Sequence, residues 1–278
     1  MGLLLGLWAF AWEAFGEPRI NEFLAANNRG LTDGDDEALD WIEIYNPSAK
    51  TVSLSGWSLT DDAKTPDKWR FPNITLGPRK YLMVFASGKD RTEGNELHTN
   101  FKLNGDGEYL ALVHLDGSTV ATEFTPEYPD QRQNISYGPG AGGNLQFFDK
   151  PTPRKTNGSG FAGFVQDTKF DPDRGFYDAP FRATITCATP DAKIRYTIDG
   201  SKPTSSHGKV YQGPIQINTT TTLRTAAFQS GLRSSNVDTH TYLFPEDIIR
   251  QPAKPTGFPT SWNGHPADYE MDPEVVND

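Results

Sequence analysis

The residues best suited to chemistry lie in the acidic stretch TDGDDEALD, Thr32 to Asp40, and in the stretch it runs into, DWIEIYNPS, Asp40 to Ser48. Asp33, Asp35 and Asp36 offer hard carboxylate oxygens of the kind calcium takes in extracellular modules, which makes them candidate calcium ligands. Their spacing lacks the glycine at the sixth position and the glutamate at the twelfth of an EF-hand loop, so a solvated loop is the competing reading. Asp40 and Glu43 could work as an acid and base only by converging on one substrate. A strand alternates its side chains, so Trp41, Glu43 and Tyr45 share one face while Asp40, Ile42, Ile44 and Asn46 share the other. The two carboxylates therefore diverge, and the expectation is a half-buried strand ended by the turn signal Asn46-Pro47.

Other reactive side chains are sparse. The five histidines, 98, 114, 207, 240 and 265, have no HxxxH or HExxH spacing, so no local zinc signature exists. His114 reads as a surface hairpin residue and His207, in SSHGK, as part of a solvated loop. No GxSxG supports a serine nucleophile, and GPGAGGN runs into linker-like chain rather than a phosphate-binding helix. The single Cys187 cannot form an internal disulfide; in FRATITCAT it shares a face with Ala183 and Ile185 and reads as a core thiol. No catalytic constellation follows, and the chain reads as a non-enzyme with no cofactor beyond the calcium candidates. Trp41, Tyr45, Trp57, Trp69, Tyr177, Tyr196 and Tyr211 could stack sugars if exposed together, but β-sandwich cores bury the same residue types.

These residues need elements to hold them, and the composition points to an all-β chain. The 278 residues include 26 Gly and 21 Pro, and no window has helical periodicity long enough for a bundle. From Arg19 to Tyr137, candidate strands cover 20–25, 41–46, 51–54, 57–60, 68–71, 81–86, 109–115 and 119–124, with Asp116-Gly117 as a hairpin signal. Residues 138–163, GPGAGGN through KPTPRKTNGSG, read as a linker. A second strand-rich block covers 182–188, 193–198, 215–218, 221–229 and 240–244, within a domain spanning 164–245. Residues 246–278, rich in Pro and acid, read as an irregular tail entering a further domain.

The net charge of −10 is uneven: residues 161–244 hold nine Lys and Arg against seven Asp and no Glu, which is +2. No segment has the basic excess that nucleic-acid binding needs. Residues 1–16 have an apolar core too short to span a bilayer and end in Ala14-x-Gly16, which suits a signal peptide although no Lys or Arg precedes it. Export without disulfides favours a bacterial source, and the sequons at Asn73, Asn134, Asn157 and Asn218 are then incidental.

The phrases PRINEFLAANN, DWIEIYNPS, LSGWSLTDD, KWRFPNITLGPRKYLMVFASG and LNGDGEYLALVHLDG, in this order over Arg19 to Tyr137, resemble the lamin tail domain. AKIRYTIDGSKPT, VYQGPIQI, LRTAAFQSGLRSSNV and HTYLF, over Phe170 to Phe244, resemble the chitobiase and β-hexosaminidase C-terminal module. These resemblances imply two tandem immunoglobulin-like β-sandwiches, with Trp57 and Phe71-Pro72 as packing residues and Gly105 to Gly107 as a turn. In the chitobiase-type enzymes the module is an accessory to a separate catalytic barrel. The tail resembles the approach to a spore coat CotH-kinase-family domain in exported bacterial proteins. The implied role is non-catalytic adhesion or positioning on a cell surface or extracellular polysaccharide. The alternatives are a carbohydrate-binding accessory of a hydrolase and the N-terminal part of a larger CotH-type kinase protein.

Overall fold

The computed structural model describes residues 16–277, which divide into two compact units, one ending at Ala162 and one beginning at Gly163. The candidate leader, Gly16 apart, lies outside the described residues. The chain is mostly β, built from several small sheets.

The first unit contains β1 (Arg19–Leu24), β2 (Trp41–Tyr45), β3 (Val52–Ser53), β4 (Ser58–Thr60), β5 (Trp69–Arg70), β6 (Thr75–Leu76), β7 (Tyr81–Phe85), β8 (Leu97–His98), β9 (Leu110–Val113), β10 (Val120–Phe124), β11 (Ser136–Pro139) and β12 (Leu145–Phe148). One sheet runs β12-β11-β1-β2-β7-β8 and another β10-β9-β4-β5. Aromatic packing joins them, with the Phe23 ring 5.0 Å from Phe124 and 4.8 Å from Tyr128. The Asp116-Gly117 hairpin forms with a wider loop than two residues: Gly117 N–H donates to His114 at φ 71°, and Asp116 accepts from the Ser118 and Thr119 amides.

One extra residue organises the first sheet. Ile20 faces Ile44, but Glu22 faces Glu43 and Phe23 faces Ile42, so Asn21 forms a β-bulge. Simple alternation would put Ile20 and Phe23 on opposite faces. The bulge puts both on the face of Ile42 and Ile44, and all four are fully buried. It also leaves Glu22, Glu43, Leu24 and Trp41 on the other face.

That other face is not open to water, which corrects the half-buried expectation for the Trp41 strand. Leu31 and Leu39 pack over Leu24, Trp41, Met83 and Phe85. Residues 152–157 cover the carboxylates. Glu22 accepts from Ser136 Oγ and from both the amide (3.0 Å) and hydroxyl (2.9 Å) of Thr152. Glu43 accepts from Asn21 Nδ2 at 2.9 Å and from the Arg154 amide. Asn157 closes the strap by donating to Asn21 O and Pro139 O at 2.8 and 2.9 Å, so this sequon residue is buried and engaged.

The reading of 138–163 as a linker is therefore corrected. Gly138 and Pro139 belong to β11, Phe147 and Phe148 are buried, and the strap is part of the first unit. The glycine that suggested flexibility serves a close approach: a Cβ at Gly138 would lie 2.4 Å from Asn21 O.

The second unit contains β13 (Thr168–Asp171), β14 (Gly175–Phe176), β15 (Phe181–Cys187), β16 (Lys193–Thr197), β17 (Lys209–Val210), β18 (Ile215–Ile217), β19 (Thr221–Phe228) and β20 (Asp238–Leu243). The sheets run β13-β15-β18 and β14-β20-β19-β16-β17. Val165, Ala183, Ile185, Ile217, Leu223, Ala227 and Tyr242 form the core. Cys187 packs against it but is only half-buried at the strand end, where its thiol donates to Gln166 O at 3.1 Å. The tail adds α1 (Pro245–Ile249), β21 (Ser261–Trp262), β22 (His265–Pro266) and α2 (Pro273–Val276), with no buried residue in either helix.

Two outcomes follow. A chain of residues 17–162 is expected to melt cooperatively, whereas one of 17–137 loses the strap and β12 and shows no cooperative transition in circular dichroism. Burial pushes the Glu43 carboxyl from its ordinary value near 4.5 up to about 7, against the Arg154 and Asn21 hydrogen bonds that lower it. The folded state then holds a proton that the unfolded chain releases, so this contribution is full below pH 4.5 and is lost as pH rises through about 7. Denaturant titrations across this window should show Glu43→Gln removing on the order of 3 kcal/mol of pH-dependent stability relative to the native chain.

Candidate functional site

The acidic loop does gather carboxylates, but not the three expected. Asp33, Asp35 and Glu37 converge with ligand oxygens within 4.8 Å of one another, whereas Asp36 occupies a left-handed turn position at φ 62°. Asp33 is buried, and its Oδ1 accepts from the Asp35 and Glu37 amides at 3.0 Å each. Lys89 Nζ enters the cluster, pairing with Asp33, with Asp35 at 2.8 Å and with Glu37 at 2.5 Å. Arg91 adds a second pair to Asp35 at 2.8 Å. The three hydrogen bonds hold the Lys89 ammonium well above its usual range. Burial would raise Asp33, but the Lys89 hydrogen bond and the two amides outweigh it and leave the carboxyl below its usual range. An internal cation thus neutralises the oxygens that a calcium ion would use.

Histidine chemistry is likewise ruled by local structure. Ser201 donates its hydroxyl proton to Asp199 Oδ1 at 2.5 Å, and its oxygen lies 2.9 Å from His207 Nε2. A triad needs the histidine between serine and carboxylate; here the serine is in the middle, its proton is committed to Asp199, and His207 is left as donor. His98 is fully buried, stacked on Phe85 and bonded to Ser87 Oγ through Nδ1 at 3.0 Å; burial keeps its pKa low. His114 is no free surface residue: it stacks on Trp57 with centroids 4.1 Å apart. Among the described residues there is no catalytic cluster.

Most candidate sugar-stacking rings are packed. Trp41, Trp57 and Trp69 are buried, and the half-buried Tyr45 and Tyr81 stack on each other at 4.6 Å. Tyr177, Tyr196 and Tyr211 pack against the second unit's core.

The site that sequence reasoning missed is an open groove of about 930 Å³ in the second unit. β19 reverses after Phe228 through Gly231, at φ 81°, and the returning chain pairs Ser235 with Ala227 in both directions, at 2.9 and 3.1 Å. The groove lies between this reversal, the start of β16 and the Lys202–Ser205 loop. Thr197 fixes that loop by donating to Ser201 O at 2.6 Å, and Arg224 donates to Gly200 O at 2.7 Å. Phe228 and Leu232 give it apolar lining, Lys193 and Lys202 give it charge, and serine and threonine hydroxyls line the remainder. Gln229 Oε1 is shielded from solvent and accepts no hydrogen bond among the described residues. The signal was present as GSKPT and QSGLRSS, but nothing in one sequence says that two such loops meet.

Replacing Lys89 by Met leaves three carboxylates facing one another, and thermal melts should show a lower melting temperature. Calcium should raise the melting temperature of this variant and leave the native chain unmoved; an equal calcium response in both would show that Lys89 does not fill the cage.

Residues 13–125 match the family model of the Lamin Tail Domain, stopping short of β11, β12 and the strap, and residues 172–239 match that of the Chitobiase/beta-hexosaminidase C-terminal domain. No curated protein matches the chain. The chain therefore carries a lamin tail domain in its first unit and a chitobiase/β-hexosaminidase C-terminal domain in its second.

Proposed function

We propose that this chain is an exported, non-catalytic binding and positioning protein whose two units are tandem immunoglobulin-like sandwiches, and that it holds to a cell surface or to extracellular polymer through its second unit. The observation that carries this reading is the groove beside β19: it is open, lined with hydroxyls, an amide and apolar surface, and able to take an extended chain. The absence of a catalytic cluster among the described residues is consistent with it, as is the lack, among those residues, of a helix long and apolar enough to cross a membrane. The chitobiase/β-hexosaminidase C-terminal match favours a narrower second reading, a carbohydrate-binding accessory to a hydrolase.

Sedimentation of the full chain with insoluble chitin, peptidoglycan and cellulose tests both readings. Retention on at least one polymer is expected. Retention on chitin or peptidoglycan alone would favour the accessory reading, and recovery of all protein in the supernatant with every polymer would end both.

A further inference from the structure

The charge of the second unit is not spread evenly. Of the nine basic side chains in residues 161–244, Lys193, Lys202 and Arg233 line the groove; of the seven aspartates, only Asp191 does. Of the other six, Asp199 is engaged within its own turn, Asp173 with His240, Asp238 with the amide and hydroxyl of Thr168, and Asp167 with the amide of Asn236 at the groove's edge. Lys193 and Lys202 are exposed and make no ion pair among the described residues. Two unpaired ammoniums therefore approach one groove from different segments, on a chain whose net charge is −10. A diffuse field from such a chain repels polyanions, so attraction must be local to this groove.

We infer that the groove binds an anionic glycan, with Lys193 and Lys202 contacting its carboxylate or phosphate groups, the Ser205 and Ser234 hydroxyls meeting its sugar hydroxyls, and Phe228 and Leu232 covering the apolar ring faces. This inference rests on the polymer-binding reading above and specifies its ligand. Lysine suits the task because its ammonium is a mobile point charge that can follow anionic groups repeated along a polymer.

The test is biolayer interferometry of the full chain on immobilised polygalacturonate, on its neutral methyl ester and on poly(glycerol phosphate). These probes separate carboxylate from phosphate while keeping a neutral polymer of the same backbone. Binding to at least one anionic polymer is expected to be about tenfold tighter than to the methyl ester at about 50 mM salt, and to weaken steeply as salt rises. The double variant Lys193→Gln, Lys202→Gln should lose about tenfold in affinity, while the equally charged control Lys169→Gln, Lys209→Gln, altered outside the groove, stays within about threefold. Both variants should keep the native circular dichroism melt.

Equal, salt-insensitive binding to the acid and the ester would overturn the anionic assignment and leave polymer binding standing. Equal losses in the two double variants would overturn the groove as the site. Retention on chitin with no binding to either polyanion would again overturn only this inference, whereas no binding to any polymer would overturn both.

Discussion

The first unit depends on a buried pair of carboxylates. Glu22 and Glu43 sit opposite each other on adjacent strands, fully removed from water, and are held by hydroxyl, amide and carboxamide donors. Such a placement is tolerable only where donors are supplied, because an unsatisfied buried carboxylate costs several kcal/mol, on the order of a whole domain's net stability. The donors come from Ser136, Thr152, Arg154 and Asn21, so the cost of burying the pair compels residues 152–157 to lie on the sheet. Covering one face with polar chain explains how a strand can be apolar on one side, acidic on the other, and buried on both.

The second unit solves a different problem. Its core is small, and the loops that leave it are held by side chains bonding to backbone: Thr197 to Ser201, Arg195 to Gly208 at 2.7 Å, Arg224 to Gly200. These bonds fix the positions of loops that would otherwise sample many conformations, and each replaces a bond to water. The groove is a product of that rigidity. Its walls are backbone reversals pinned from outside, which leaves the lysines at the rim unpaired.

Much of this was legible in the residues. The strands at Trp41, Tyr81, Phe181 and Thr221 follow from alternation and β-branching, and the divergence of Asp40 from Glu43 follows from the pleat: Asp40 accepts from the Asn27 amide, Glu43 from the strap. Composition misled at Gly138 to Gly163, because glycine required for close packing looks the same as glycine in a flexible segment. Periodicity failed at Asn21, since a bulge interrupts alternation for reasons that lie in the partner strand. The acidic loop is plain in the sequence, but its partner Lys89 is over fifty residues away and carries no local sign of it. Short strands such as Thr75–Leu76 and Lys209–Val210 are set by their neighbours and have no pattern of their own.

The bulge at Asn21 also bears on how such a domain can change over generations. Asn21 is the inserted residue, a donor to Glu43 and, through its carbonyl, an acceptor for Asn157. Deleting it would remove the bulge and leave Ile20, Glu22 and Phe23 in simple alternation, with Ile20 and Phe23 still on the core face. The loss would fall on the strap, since Glu43 would keep only the Arg154 amide as a donor and Asn157 only Pro139 O as an acceptor. The inserted residue, the two glutamates and the strap form one hydrogen-bonded set, so a change at Asn21 is felt at residues 152–157, more than a hundred positions along the chain.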